Sequence, residues 1–379
     1  MSVPEASAEG GTKSLAAAYN SCGFGLFRGF AEEPGNFVVS PYSIGTAMAM
    51  VLAGARGANA AEMARVLGLK LPHEEIDAAN AGLLACINEL ASAFLQLGLA
   101  NALVLAENNA AITRAYLELL RQSYAAELFS GSVPATVNGW VKQKTFGKID
   151  SILDTLGLFT ALVLINAIYL KARWRTPFDA AATRNGTFYL AQGDVKVPTM
   201  HVLGNFAIAR LPGYRSVRLP YDNGRLAMLI LLPDHQVDDI LPNFDSEQMV
   251  GLQAALRAVA RPVLVSLPRF HVSFKASLVK AFTAMGMRLA FDPYAADFSG
   301  MTGTSHATFP LAIGQIIHNA VIDVTEEGTE AAAATVVEVR IGGMPQPSET
   351  FRVDRPFLFA IVDDGTGCVL FQGRIVDPR

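Results

Sequence analysis

Apolar residues recur at two different periods along this chain, and the changes of period divide it into elements. Between residues 13 and 70 the pattern is helical around one short strand at 36–39. Ser40 followed by Pro41 predicts a helix start, because a side-chain acceptor at the cap precedes a proline at the first helical position. Ile76, Leu83, Leu84, Ile87, Leu90 and Phe94 predict a second helix over 75–97. A strand at 100–106 and a short helix at 112–122 follow, then an amphipathic helix at 138–149 ending near Gly147. Residues 162–169 are continuously apolar and rich in branched side chains, as in a strand buried on both faces. Strands dominate 186–232, punctuated by turn signals at Gly193-Asp194, Pro212-Gly213 and Asp222-Asn223-Gly224. Helical spacing returns at 245–256 and 277–285, and the last third is mostly strands, closing with 357–362 and 369–376. There is no internal repeat and no Pro/Ser-rich linker. Helices first and strands later, without strict alternation, predict a mixed α+β fold in one domain spanning 1–379.

Composition narrows the class. Of 379 residues, 51% are hydrophobic and 17% charged, which excludes intrinsic disorder. A formal net charge of −4 offers no global attraction to nucleic acid or to an anionic membrane. The mean hydropathy of +0.31 raises the question of membrane insertion. The longest uncharged stretch, between Glu33 and Arg56, is broken by Pro34, Gly35, Asn36 and Pro41. Segments 90–106 and 155–170 fall at or below the roughly 17 residues a spanning helix needs. A soluble protein is expected. No signal peptide is visible at the amino end, so the compartment stays open: secreted or periplasmic if a leader has been removed, otherwise cytoplasmic.

Enzyme chemistry is hard to find. No nucleophile elbow, zinc-protease helix motif or phosphate-binding loop occurs. Gly23, Gly25 and Gly29 imitate a dinucleotide loop at the wrong spacing and without a preceding strand. Cys22, Cys86 and Cys368 are widely separated and read as small buried hydrophobes. The histidines at 73, 201, 235, 271, 306 and 318 lack paired ligand spacing, so no metal site is expected. His318, within the apolar run 311–324, reads as a hydrogen-bonded core residue.

One segment carries a sharper signal. Residues 326–356 begin Glu-Glu-Gly-Thr-Glu-Ala-Ala-Ala-Ala and become Gly/Pro-rich from Gly342 to Pro347. An alanine-rich helix is one reading, since alanine has the best helix propensity. Read as a strand, however, Thr329, Ala331, Ala333, Thr335, Val337 and Val339 share an uncharged face. Glu330, Ala332, Ala334, Val336, Glu338 and Arg340 share the other, which holds every charge. No proline interrupts 329–343, so the segment can pair on both edges.

With these residues in view, the chain resembles the serpin family over essentially its whole length. Asn36-Phe-Val-Val-Ser-Pro-Tyr-Ser-Ile44 resembles the family's lead-in to its second helix, and 138–149 the helix lying across its main sheet. Leu164-Ile-Asn-Ala-Ile-Tyr-Leu-Lys-Ala-Arg-Trp174 matches the central-strand motif. Residues 326–334 match the reactive-loop hinge, and Phe351-Arg-Val-Asp-Arg-Pro-Phe-Leu-Phe-Ala360 the C-terminal signature. The resemblance implies three β-sheets, eight to nine helices and an exposed reactive loop at about 326–350. It implies no catalytic residue of the chain's own. The implied function is inhibition of a serine, or cysteine, protease as a suicide substrate: the loop is cleaved, the protease trapped as an acyl-enzyme, and the loop inserted into the central sheet. The alternative is a non-inhibitory serpin acting as a binding or carrier protein.

Further residues follow from the same match. The hinge is Gly328, Thr329, Glu330, Ala331, Ala332, Ala333 and Ala334. Its small inward residues favour inhibition, because a charge there would cost several kcal/mol to bury. Ser40, Ser43, Asn166 and His318 match a polar gate beneath the opening sheet; Glu326 matches the loop-base glutamate, with Arg269 as partner and Trp174 nearby. Counting from Glu326 puts the scissile bond at Gly342–Gly343, whereas trypsin-like chemistry would prefer Arg340–Ile341; bonds at Val339, Ile341 or Met344 are further candidates. No cofactor is implied, and the chain is expected to be a monomer whose partner is the protease, held covalently. Heparin is not expected to bind near 75–97, where no Lys or Arg occurs between Lys70 and Arg114.

Overall fold

In the computed structural model, residues 5–105, 112–131, 134–155, 161–257, 259–304, 311–329 and 347–379 are described. Six strands build the central sheet: β2 (Leu95–Leu105), β3 (Ala126–Ser130), β4 (Leu162–Arg173), β10 (Phe270–Ser277), β11 (Ile313–Val324) and β12 (Gly328–Thr329). Their order is β10-β11-β12-β4-β2-β3. A nine-stranded network holds β1 (Phe37–Val39), β5 (Arg184–Leu190), β6 (Gly193–Leu211), β7 (Tyr214–Pro220) and β8 (Leu226–Pro233). It also takes β9 (Arg261–Pro268), β13 (Glu349–Arg352), β14 (Phe357–Asp363) and β15 (Val369–Ile375). The 19-residue β6 serves both halves of this network, pairing β5 and β9 through 193–206 and β7 through 207–211. The network therefore reads as two sheets sharing one strand, which with the central sheet makes the expected three.

Nine α-helices occur among the described residues. They are α1 (Glu5–Gly29), α2 (Pro41–Gly54), α3 (Gly57–Val66), α4 (His73–Asn88), α5 (Arg114–Tyr124) and α6 (Pro134–Lys144). The remainder are α7 (Ser246–Ala255), α8 (Val279–Ala284) and α9 (Ser299–Thr302). None is long and apolar enough to cross a membrane.

The middle strand β4 is buried on both faces over residues 162–170, as its unbroken apolar run predicts. Beneath it lies α2, every residue of which is buried, starting from a Ser40 side chain that accepts from Ser43 N at 3.1 Å. Leu103, Leu105, Leu164, Ile168 and Leu170 join the large core on that side. On the outer face Ala100, Ala102, Val104, Val163, Ile165 and Ala167 form a second cluster with Val137 and Val141 of α6. The small side chains there, Ala100, Ala102 and Ala167, allow α6 to lie close to the sheet.

Two boundaries depart from the periodicity. The helix expected over 75–97 stops at Asn88, and strand β2 begins at Leu95 rather than Ala100. Eleven rungs to β4 outweigh local helical spacing, and Phe94 becomes a half-exposed residue whose ring carries the Arg173 guanidinium at 5.0 Å. The helix expected at 138–149 runs instead over Pro134–Lys144, because Phe146 and Gly147 adopt left-handed backbone at φ 54° and 80°.

Candidate functional site at the mouth of the central sheet

Strands β4 and β11 run parallel and paired from Leu162/Ile313 up to the rung Tyr169–Val321. Beyond that rung they diverge, and β12 lies between them. Thr329 pairs antiparallel with Ala172 of β4 and with Val324 of β11, and Gly328 with Arg173. The chain leaving β11 thus doubles back and occupies the first positions of a slot between two strands that are otherwise neighbours. Gly328 is required by close approach: a Cβ there would lie 2.0 Å from the Ala172 carbonyl oxygen.

The turn from β11 into β12 is held on every side. The Thr325 N–H donates to Gly328 O at 2.8 Å, Trp174 N–H to Glu327 O at 2.9 Å, and Phe178 N–H to Glu326 O at 2.8 Å. The Trp174 indole donates from Nε1 to Thr325 O at 3.0 Å. Its other face stacks on Tyr221 at 4.5 Å and 12°. The Tyr221 phenol reaches the Thr329 hydroxyl at 2.6 Å, both side chains being buried. Glu326 accepts from Arg269 Nε at 2.7 and 2.9 Å and from the Thr183 hydroxyl at 2.5 Å. Burial pushes the Glu326 carboxyl up, but the bonds from Arg269 and Thr183 outweigh it and leave its pKa below the ordinary value.

Deeper under the same two strands, Ser40, Ser43, Asn166 and His318 come together. Asn166 Nδ2 lies 2.9 Å from Ser43 O, 2.5 Å from Ser43 Oγ and 2.6 Å from Asn101 Oδ1. Asn166 Oδ1 faces His318 Nδ1 at 2.5 Å, while His318 Nε2 accepts from Ser40 N–H at 3.3 Å. An accepting Nε2 means that Nδ1 carries the proton and donates to Asn166. Complete burial pushes the His318 pKa down to about 3, so the ring is neutral. The Asn166–His318 bond bridges β4 and β11 directly, since these residues are register partners.

A family model described as Serpin (serine protease inhibitor) matches residues 17–378. The chain belongs to the serpin family. It is 36% identical to an uncharacterised serpin-like protein of Thermococcus kodakarensis, over 98% of this chain and 87% of that one. It is 34% identical to the leukocyte elastase inhibitor of Homo sapiens, over 97% of this chain and 100% of that one. Among solved structures it is similar to the thermophilic serpin tengpin in its native state, with a TM-score of 0.85, 26% identity and coverage of 95% and 94%. Protease nexin-1 with heparin gives a TM-score of 0.83 and 27% identity, covering 97% and 100%.

In this serpin the structure assembles the gate residues and the Glu326–Arg269 pair that the sequence singles out. Glu330, Ala331, Ala332, Ala333, Ala334, Arg340, Ile341, Gly342 and Gly343 lie outside the described residues. Three residues at the site escaped sequence reasoning: Tyr221, Thr183 and Asn101. Asn101 had a signal, being an uncharged polar residue in an apolar strand, as Asn166 is. Tyr221 and Thr183 sit in turn-rich sequence far from the loop and carry none. Of the cysteines, Cys22 and Cys368 are buried as expected, and burial pushes the Cys22 thiol up to about 12; Cys86 is partly exposed.

Proposed function

We propose that this serpin is a suicide inhibitor of a serine protease, folded as one domain over 1–379, with 326–350 as its bait. The observation that carries the reading is β12: two residues of the loop base already lie as a strand between β4 and β11, and Thr329 is buried there without a charge. The protease's serine oxygen attacks the scissile carbonyl, the peptide C–N bond breaks, and the new amino terminus departs while the acyl group stays on the enzyme. The freed hinge then adds to the sheet as a full strand, gaining ladder bonds on both edges. Uncleaved, the chain is held in a kinetic trap.

The register supplies a link between mouth and gate. Six residues beyond Thr329, Thr335 comes level with residues six positions back from Ala172 and Val324, which are Asn166 and His318. A strand continuing in that register must break the Asn166–His318 bond and can offer a hydroxyl in exchange. An inserted strand of about twelve residues spans roughly 40 Å at about 3.3 Å each, enough to carry a protease from one end of the sheet to the other.

Gly342–Gly343 remains the first candidate for the scissile bond and Arg340–Ile341 the second. Incubation with elastase-like and trypsin-like proteases should give a complex that survives SDS, and sequencing the released fragment should read Gly343 or Ile341 at its amino end. Cleavage should also raise the melting temperature markedly. Simple digestion, with no complex and no rise in melting temperature, would overturn the inhibitor reading in favour of a binding or carrier role.

A further inference from the structure

Opening the slot requires β4 and β11 to separate by one strand spacing, about 4.8 Å. Each takes a partner with it: β2 stays with β4 along eleven rungs, and β10 with β11 along eight. Helix α6 and the chain after it lie across both halves. On one side the end of α6 rests on β2 at Gly98, where a Cβ would approach the Lys144 carbonyl oxygen to 2.6 Å. There the Phe146 ring packs edge-on against Tyr169 of β4, with centroids 6.1 Å apart. On the other side, Asp154 reaches Lys275 of β10 at 3.3 Å, and Ile152 and Leu153 join the outer cluster with Val321 of β11. Asn138 ties the two ends together, accepting from the N–H groups of Ile152 and Leu153 at 2.9 Å. The unit is a staple across the slot, and its attachments to both halves must yield before a strand can enter.

Phe146 is placed at some expense. A bulky side chain at φ 54° is uncommon, and its ring is left 54% exposed, so neither backbone comfort nor core burial accounts for it. What the conformation achieves is contact with Tyr169, which occupies the last closed rung between β4 and β11. Of the opposite attachment, the Lys275–Asp154 pair is 39% and 79% exposed and belongs to the weak class of surface ion pairs, which leaves the packing of Ile152 and Leu153 with Val321 to hold that side.

We propose that Phe146 is a positioning residue: its contact with Tyr169 clasps α6 to the β2–β4 half of the sheet and sets the rate at which a strand can enter between β4 and β11. The inference rests on the insertion reading above and adds a rate-setting side chain to it. With the clasp removed, α6 lifts more readily and insertion competes better with hydrolysis of the acyl-enzyme.

The test uses the full chain and a synthetic peptide of sequence 329–341, whose uptake is followed by the rise in melting temperature and by native electrophoresis. Phe146→Asn keeps a residue tolerant of left-handed backbone and deletes the ring; peptide uptake should quicken about fivefold, as expected for loss of one aromatic pair. Phe146→Tyr should restore the wild-type rate. In a Tyr169→Leu background the Phe146→Asn change should have no further effect. Uptake by Phe146→Asn at the wild-type rate, or an undiminished effect in the Tyr169→Leu background, would overturn the clasp while leaving insertion intact. A wild-type protein that takes up no peptide and gains no stability on cleavage would overturn the insertion reading, and the clasp with it.

Discussion

The Tyr221 phenol and the Thr329 hydroxyl meet at 2.6 Å inside the mouth of the central sheet, and each is buried. This bond ties the first inward-facing residue of the loop to a tyrosine that is itself stacked on Trp174. A hydroxyl at 329 is therefore matched to its site in size, polarity and hydrogen bonding.

Replacing that hydroxyl tests how insertion begins. Thr329→Val should leave the Tyr221 oxygen unpaired and destabilise the native protein by about 1–3 kcal/mol. Thr329→Arg should do more, because an unpaired buried charge costs several kcal/mol. The arginine variant should be cleaved at the same bond yet form little SDS-stable complex. Equal complex yield from wild type and Thr329→Arg would show that residue 329 need not stay buried.

Glu326 holds the loop base through Arg269 and Thr183. Glu326→Gln should cost about 1 kcal/mol, discounted from a fully buried charged bond because Arg269 is nearly half exposed. For a chain of this size the melting temperature should drop by about 1–2 °C. With its pKa below the ordinary carboxylate value, Glu326 contributes stability that is present above the unfolded value and lost as pH falls through the folded one. The difference between wild type and Glu326→Gln should therefore shrink in acid. A constant difference down to pH 3 would contradict the assignment.

His318 makes a separate pH dependence. Its folded pKa near 3 lies below the ordinary histidine value of 6.5, so the unfolded chain binds a proton that the native chain refuses. Its effect is absent above pH 6.5 and grows as pH falls toward 3, costing about 1.4 kcal/mol per pH unit. Protonation would also oppose acceptance from the Ser40 N–H at Nε2. Urea midpoints measured from pH 7 to 4 should fall more steeply for wild type than for His318→Gln; parallel curves would remove His318 from the cause.

Heparin should not accelerate this serpin through α4. The first turn of that helix carries Glu74 and Glu75, its last turn has no basic residue, and no Lys or Arg lies between Lys70 and Arg114. A polyanion needs clustered cations there. Inhibition rates with and without heparin should agree within about twofold, which is close to no effect on the barrier. Strong acceleration would refute the prediction, and charge reversal at Glu74 and Glu75 would then show whether α4 is involved.

Much of this architecture is legible in the sequence. Ser40-Pro41 marked the start of α2, the unbroken run at 162–169 marked β4, and the paired closing strands were placed within a residue or two. The helical spacing at 75–97 overruns the helix because Leu90 and Phe94 continue it from within the turns that lead into β2. What decided Leu95 was β4, a neighbour more than sixty residues away in the chain.

The candidate site divides the same way. Sequence alone determined the residue types at 328–334 and their two-faced alternation, a local arrangement of small, polar and charged side chains, whereas Ser40, Ser43, Asn166, His318 and Glu326 stood out only through the resemblance of separate motifs to the family's. Only the tertiary structure decided that β12 sits between β11 and β4, that Tyr221 receives Thr329, and that the Phe146 ring meets Tyr169 beyond the end of α6. Those facts depend on strand register and on the approach of distant segments, which come from the packing of the whole sheet and leave no mark on any one stretch of chain.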